Sequence, residues 1–224
     1  MTYYVLSAKQ EKNCPLSLAE EKGLYDRFYS EADSTPSVGY FPWYSFDTRD
    51  SCKLPKDSVL IVENTFYDFP IRNISSNIYA ISESFLSILN DYNLKFEYSP
   101  LKVISKNGKK AVDKDYFLIR FPYTNSQEVI DSSKSEVSFD DGLYSIKKIK
   151  IHAKIKTPLF LIGDVIHEQR TFFASQEFVQ NIREKSLKGI NFFIDSEAKW
   201  KNPIEFLDFL FDGEGSIDEQ VWPL

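Results

Sequence analysis

Residues 78–89 read IYAISESFLSIL, and residues 171–182 read TFFASQEFVQNI. In each stretch an apolar run suited to a β-strand ends at a serine, Ser82 or Ser175, and apolar residues then recur at helical spacing. Serine is favoured at this position because its hydroxyl accepts a hydrogen bond from an otherwise unpaired N–H in the first helical turn. The sequence therefore predicts the same unit twice: a strand, a serine cap and a short helix.

The match between the two stretches continues beyond the helices. Superposing the serines places Leu89 on Ile182, and it also places Leu94 on Leu187. Two capped amphipathic helices can share such spacing by chance, so an internal repeat is one of two interpretations. A repeat would give two similar lobes and a tail. We predict the boundaries as an N-terminal lobe at 1–92, a C-terminal lobe at 93–200 and an acidic, aromatic tail at 201–224.

Most of the remaining pattern indicates strands. A helix is expected at 15–29, and a strand is expected from Leu143 onward, where apolar and polar residues alternate strictly over 148–155. Gly189, between the second helix and its following strand, is expected to be left-handed. Together these features predict an α+β fold with a mixed or antiparallel sheet and a few short helices. The other expected strands are 3–6, 58–62, 78–81, 94–104 with a kink or break at Pro100, 116–121, 159–162, 171–174 and 190–194.

Composition limits the classes of partner. The net charge of −6 and a pI near 5.1 disfavour nucleic acid and anionic membranes, and they favour a basic partner. Aromatic residues reach 16%, a bias that suits a sheet-rich binding protein. Cys14 and Cys52 are expected to be reduced thiols in a cytoplasmic protein. No run approaches the 18 or so apolar residues of a membrane span, so membrane insertion has no support.

Catalytic motifs are missing from the sequence. No serine lies in a G-x-S-x-G elbow, no C-x-x-C occurs, and the 8 glycines form no phosphate-binding loop. His152 and His167 are interpreted as solvated side chains, and Asp140-Asp141-Gly142 is interpreted as a turn rather than as a pair of catalytic carboxylates. We therefore predict no enzymatic activity, no cofactor and no metal site.

Two aromatic segments are candidates for binding a partner. The tail combines acids and aromatic rings without lysine or arginine from residue 203 onward, which suits a basic protein, although it could instead pack on its own domain. The loop YFPWYSFD at 40–47 is either an interface or a lid over the sheet. The candidate contact residues are Glu205, Asp208, Phe209, Asp212, Glu214 and Trp222 in the tail, and Trp43 and Tyr44 in the loop.

Six segments carry a family resemblance that spans most of residues 1–195. They are YYVL at 3–6, ISESFLSIL at 81–89, FEYSPLKVISKNG at 96–108, DYFLIRF at 115–121, IDSSKSEV at 130–137 and TFFASQEFVQNIREKSLKGINFF at 171–193. Their order and spacing resemble bacterial polymorphic-toxin immunity proteins, families first catalogued as domains of unknown function.

The resemblance implies an inhibitor that is encoded beside a toxin, binds it and protects the producing cell. It carries over no catalytic residue. The chain departs from the family pattern at Leu161, where an arginine often follows the aromatic residue, and in the tail, which lies outside the pattern. An enzyme with a dispersed active site and a scaffold protein are the alternative interpretations. The matching positions are Ser82, Tyr116, Asp131, Ser135, Ser175, Gly189 and Phe192.

Overall fold

The computed structural model describes residues 2–16, 18, 22–25, 53–63, 66–200 and 219–224. This part of the chain forms two large sheets, one separate hairpin and three short α-helices, which confirms the predicted α+β class with mixed sheets. The strands are β1 (Tyr3–Ala8), β2 (Lys22–Tyr25), β3 (Ser58–Val62), β4 (Ile71–Ser75), β5 (Ile78–Ser82), β6 (Glu97–Ser105), β7 (Tyr116–Arg120), β8 (Tyr123–Thr124), β9 (Glu136–Asp140), β10 (Leu143–Lys148), β11 (Leu159–Ile162), β12 (Phe172–Ser175) and β13 (Ile190–Ile194). The helices are α1 (Glu83–Asp91), α2 (Ser126–Val129) and α3 (Gln176–Glu184).

The larger sheet has six strands in the order β2-β3-β6-β7-β5-β4. All its neighbours are antiparallel except β3 and β6, which run parallel. Of the kink or break predicted at Pro100, the break is not found, because β6 continues through the proline. Pairing with β3 begins only at the next residue, Leu101, so the missing N–H of Pro100 interrupts no bond on that side.

The second sheet has five strands in the order β13-β1-β12-β11-β8. The first four are antiparallel to their neighbours, and β8 adds a short parallel edge to β11. A hydrophobic core lies between the two sheets and includes apolar residues of both helices α1 and α3. In that core Tyr79 of the larger sheet and Phe172 of the smaller sheet lie 4.8 Å apart between ring centroids. The sheets therefore share one core.

Both predicted serine caps are confirmed. The Ser82 hydroxyl accepts a hydrogen bond from the N–H of Phe85 at 3.4 Å, and the Ser175 hydroxyl accepts one from Phe178 at 3.3 Å. Each capped helix has nine residues, and a left-handed residue follows each one, Asn93 with φ 51° and then Ser186 with φ 52°. The two units thus share the serine cap, the helix length and the left-handed residue after the helix.

The recurrence also extends upstream of the serines. The Ser82 N–H donates to the Pro70 carbonyl at 2.9 Å, and the Ser175 N–H donates to the Pro158 carbonyl at 2.8 Å. Each proline directly precedes the strand that pairs with the capped strand, β4 in one sheet and β11 in the other. The repeated unit is therefore a proline, two antiparallel strands, a serine cap and a helix.

Two other expectations are corrected. The helix expected at 15–29 is wrong, because residues 22–25 form β2 and pair with β3. The strand expected from Leu143 onward is confirmed as β10, but its continuation over 149–155 is wrong, because β10 ends at Lys148. Ile149 and Ile151 are buried, and Ile151 forms an isolated bridge to Ile130. Burial does not alternate beyond them, since Ala153 is exposed and the chain turns.

The division into lobes at residue 92 stays a prediction. Strands from before residue 92 pair with strands from after it in both sheets. β1, at the N-terminus, belongs to the sheet formed by the later strands, whereas β6 and β7 belong to the sheet formed by the earlier ones. The two sheets are therefore interleaved in sequence.

A buried arginine joins the two sheets. Arg72 on β4 is fully buried, and its guanidinium donates to the carbonyls of Pro15 (2.6 Å), Ile71 (2.7 Å), Gly189 (3.0 Å) and Lys9 (3.2 Å). Lys9 and Gly189 flank strands of the smaller sheet, β1 and β13. Burial lowers the pKa of Arg72 to about 10, so the group stays charged at neutral pH. One side chain thus satisfies backbone acceptors from both sheets.

Gly189 is left-handed as predicted, with φ 74°. A Cβ added to it would lie 2.9 Å from the Cβ of Cys14 and 3.1 Å from Nη2 of Arg72. Glycine is therefore required here for its backbone conformation and for the close approach of the arginine.

We expect Ser82→Ala and Ser175→Ala each to lower the free energy of unfolding by about 0.5 to 2 kcal/mol, because each removes the acceptor for a first-turn N–H. Chemical denaturation measures the change. Ser84→Ala, inside α1 and not at its cap, is the matched control and should leave stability unchanged or slightly raised. Equal stability of both cap variants and the wild type would contradict the assignment.

We expect Arg72→Met to lower the free energy of unfolding by about 3 kcal/mol or more, because several buried carbonyls lose their donor. Arg183→Met is the control. Arg183 is exposed near the end of α3, where its guanidinium lies 5.2 Å from the ring centre of Phe192, and its loss should cost at most about 1 kcal/mol. Similar denaturation midpoints for the two variants would show that Arg72 does not hold the sheets together.

Candidate partner-binding surface

A two-stranded hairpin stands apart from both large sheets. Strands β9 and β10 pair antiparallel with each other and with no other strand among the described residues. The two-residue turn that joins them, Asp141-Gly142, has φ values of 46° and 80°. Positive φ at both central residues defines a type I′ turn, whose twist matches that of the flanking strands, and Asp-Gly is a preferred sequence for it. The predicted turn is confirmed, and its backbone conformation is well defined.

A buried glutamine fastens the hairpin to the body of the protein. The Gln169 side chain accepts from the N–H of Ile146 at 2.6 Å and donates to the carbonyl of Ile146 at 2.8 Å. Its amide therefore takes the place of a neighbouring strand. Tyr144 adds two backbone bonds, donating to Asp164 at 2.8 Å and accepting from Ile166 at 2.9 Å. The base of the hairpin is thus held at two successive inward-facing positions.

One face of the hairpin is apolar along its whole length. At the base, Ile146 is buried and Val137 packs against the same core cluster. At the outer end, Phe139 lies opposite Tyr144 with ring centroids 4.8 Å apart, yet 63% of Phe139 is exposed. It is the most exposed of the large hydrophobic side chains in the described part of the chain. Leu143, on the opposite face, is also exposed.

The outer end of the hairpin carries unpaired negative charge. We call residues 138–144, with the sequence SFDDGLY, the hairpin tip; it holds two carboxylates and no cationic side chain. Asp140 and Asp141 are exposed, and neither carboxylate forms a hydrogen bond or ion pair with a described residue. By contrast, Glu136 at the base lies 3.3 Å from Lys147. The unpaired acidic charge of the hairpin is therefore concentrated at the tip, and the exposed Lys148 lies at its opposite end.

A cleft of about 480 Å³ lies elsewhere, where β6 and β7 approach β8. Glu97 accepts from the N–H of Leu54 at 2.7 Å and forms an ion pair with Arg120. Burial opposes ionisation of Glu97, but these hydrogen bonds outweigh it and lower its pKa. Lys95 leaves the cleft with more positive than negative charge. The lining residues are Asn77, Lys95, Phe96, Glu97, Arg120, Phe121, Pro122 and Tyr123.

Most of the contact residues predicted from the sequence lie outside the described residues. Trp222 is described, and it is 2% exposed within the core between the sheets. The backbone N–H of Trp222 donates to the Ser7 hydroxyl at 2.8 Å, and its backbone carbonyl accepts from the N–H of Ala8 at 2.7 Å. For this residue the structure favours the alternative interpretation, packing on its own domain. The residues outside the description are Trp43, Tyr44, Glu205, Asp208, Phe209, Asp212 and Glu214.

Sequence reasoning identified the turn of the hairpin but missed its exposed tip. A signal was available, because Phe139 and Leu143 both lie within two residues of the turn, which places both side chains near the far end of the hairpin. Cys14, one of the two predicted thiols, is buried, and its Sγ lies 2.7 Å from the Asp68 carbonyl. Burial raises the pKa of the Cys14 thiol. Cys52 lies outside the described residues.

The described residues contain neither a metal-binding cluster nor a membrane-spanning helix. No group of three or more His, Cys, Asp or Glu side chains is arranged to hold a metal ion in this part of the chain. None of the helices described has the length and apolar character needed to cross a bilayer.

Comparison with family models places this chain among the immunity proteins. It belongs to the family described as Immunity protein 43, whose model matches residues 10–202, 193 of the 224 residues. The match confirms the resemblance to polymorphic-toxin immunity proteins noted in the sequence. No curated protein matches the chain. The family supports an immunity role and suggests one without catalysis.

We expect Gln169→Leu to loosen the hairpin, because the backbone N–H and carbonyl of Ile146 lose their buried partners, at a cost of about 1 to 3 kcal/mol. Hydrogen exchange measured by mass spectrometry should speed up in a peptide covering 136–148 and stay unchanged in one covering 97–105. The control Gln180→Leu replaces an exposed glutamine that bonds only Glu184 among the described residues, and it should alter neither peptide. Unchanged exchange at 136–148 would show that Gln169 does not hold the hairpin.

Proposed function

We propose that this protein binds a cognate bacterial toxin and neutralises it by occupying its surface, with no catalytic step of its own. The family match over 193 residues carries this proposal, because the family consists of immunity proteins. The toxin is the one encoded beside this gene, as the resemblance to polymorphic-toxin systems implies.

The charge and surface of the chain support a basic protein partner. A net charge of −6 favours association with a cationic surface, and complementary charge speeds the encounter of two proteins. An exposed aromatic ring beside unpaired carboxylates is suited to the same kind of surface. We place the protein in the cytoplasm of the producing cell, and we propose neither nucleic acid nor membrane as a partner.

The aromatic loop and the acidic tail remain candidate contacts. Within our proposal, Trp43 and Tyr44 would anchor the toxin, and Phe209 would do so from the tail. The tail acids Glu205, Asp208, Asp212 and Glu214 would steer a basic toxin. Trp222 is withdrawn from this set, because its burial between the two sheets leaves it no free surface.

The function is tested by expressing the adjacent toxin in a sensitive bacterial host with and without this protein. We expect growth to be restored only when both are present, and we expect the purified proteins to elute together as a stable complex. A toxin from an unrelated system is the control and should stay lethal. Failure to protect, or protection without a complex, would contradict neutralisation by binding. Protection accompanied by covalent change of the toxin, detected as a mass shift, would favour the enzyme alternative.

A further inference from the structure

We propose that the hairpin tip, residues 138–144, is the element that contacts the toxin and that it inserts into a cationic groove there. This inference rests on the proposed function and specifies its surface and the chemistry of its partner. The residues that carry it are Phe139, Asp140 and Asp141, which together offer an apolar anchor and two free carboxylates.

Phe139 has the properties of an interface anchor. Its ring continues the apolar face of a hairpin whose base is packed in the core, yet most of the ring lies in solvent. Leaving a large apolar side chain exposed sacrifices burial energy that the fold could use, and interfaces draw much of their affinity from a few such rings. Because the neighbouring Tyr144 supports the ring from within, Phe139 is presented outward.

The negative charge of the tip indicates that the toxin surface it contacts is cationic. Asp140 and Asp141 have no partner among the described residues and lie directly beside the exposed ring. Two carboxylates buried at an interface need cationic or N–H partners, because unpaired buried charge is costly. A basic groove on the toxin supplies such partners, and the overall charge of −6 assists the approach.

The hairpin is ordered before it binds. Its type I′ turn fixes the direction of the tip, and Gln169 pins the base through both backbone groups of Ile146. A rigid element loses little conformational entropy on binding, so more of its contact energy appears as affinity. A two-stranded hairpin alone is marginally stable in water, which makes the side-chain anchor necessary for this role.

The cleft between β6, β7 and β8 is less suited to a basic partner. Its one carboxylate, Glu97, is already bound to Arg120 and to a backbone N–H, and Lys95 adds positive charge. Tyr98, whose ring packs 5.8 Å from that of Phe96, is 50% exposed on the same sheet. Tyr98 therefore provides a control for an exposed aromatic ring outside the hairpin.

The test compares tip variants with matched controls for binding to the catalytically inactivated toxin encoded beside this gene, by surface plasmon resonance. We expect Phe139→Ala to raise Kd by about 30-fold, mainly through faster dissociation. The double variant Asp140→Asn and Asp141→Asn should slow association by about tenfold and flatten its salt dependence. Asparagine retains the left-handed turn conformation at 141, so the fold is preserved.

The controls are Tyr98→Ala and the double variant Asp113→Asn and Asp115→Asn, which removes two exposed acids between β6 and β7. Both should bind like the wild type. All variants should keep the wild-type melting temperature and amide exchange outside 136–148, so that a loss of binding reports contact rather than unfolding.

Four other outcomes would overturn the inference. If the tip variants bind with full affinity while the wild-type protein protects the host, the hairpin contact is refuted and the proposed function stands. Weaker binding of Tyr98→Ala alone would move the contact to the cleft. A dimer in light scattering that Phe139→Ala disrupts would make a second copy of this chain the occupant. A wild type that fails to bind the toxin would refute the proposed function and this inference together.

Discussion

The buried guanidinium of Arg72 is the interaction on which the assembly of the two sheets depends. Its donors reach carbonyls that belong to different parts of the chain, next to β1, β4 and β13. Moving a cation from water into a protein interior costs several kcal/mol, so the arrangement is stable only because all these acceptors converge on one group. Gly189 makes that convergence possible, since any side chain there would meet Cys14 and the guanidinium. The interleaved strand order and this buried cation together tie the two sheets to each other.

Local signals in the sequence were sufficient wherever a segment formed its structure from its own residues. The serine caps, the apolar strands at 58–62, 159–162 and 190–194, and the Asp-Gly turn all match the structure, because each follows from short-range chemistry. Strand β4 was missed because Arg72 and Asn73 make it look polar, and its stability comes from pairing with β5 and from the arginine's distant acceptors. The alternation after Lys148 misled for the opposite reason, since Ile149 and Ile151 are buried there without belonging to a strand, while Ala153 is exposed.

The binding surface was harder to predict than the fold, because exposure is a tertiary property. Phe139 and Phe160 look alike in sequence, each lying in a strand pattern, but only the first is left in solvent. Trp222 shows the reverse case, since its acidic, aromatic surroundings indicated a surface residue and it lies instead between the sheets. What separates these rings is the set of elements that packs over each one, and that set includes residues more than a hundred positions away along the chain.

The hairpin belongs to neither large sheet, and this separation has a consequence for how the protein can change. Residues 138–143 are absent from the core clusters, so substitutions there are free of the constraint that packing places on most of the chain, whereas Tyr144 packs against the core at the base of the tip. An inhibitor must follow its target as the target diverges, and a tip of seven residues on a fixed base offers a short route to a new specificity. The same separation makes the protein a scaffold for retargeting, in which libraries at the tip could be screened while Gln169 and the turn glycine are left unchanged.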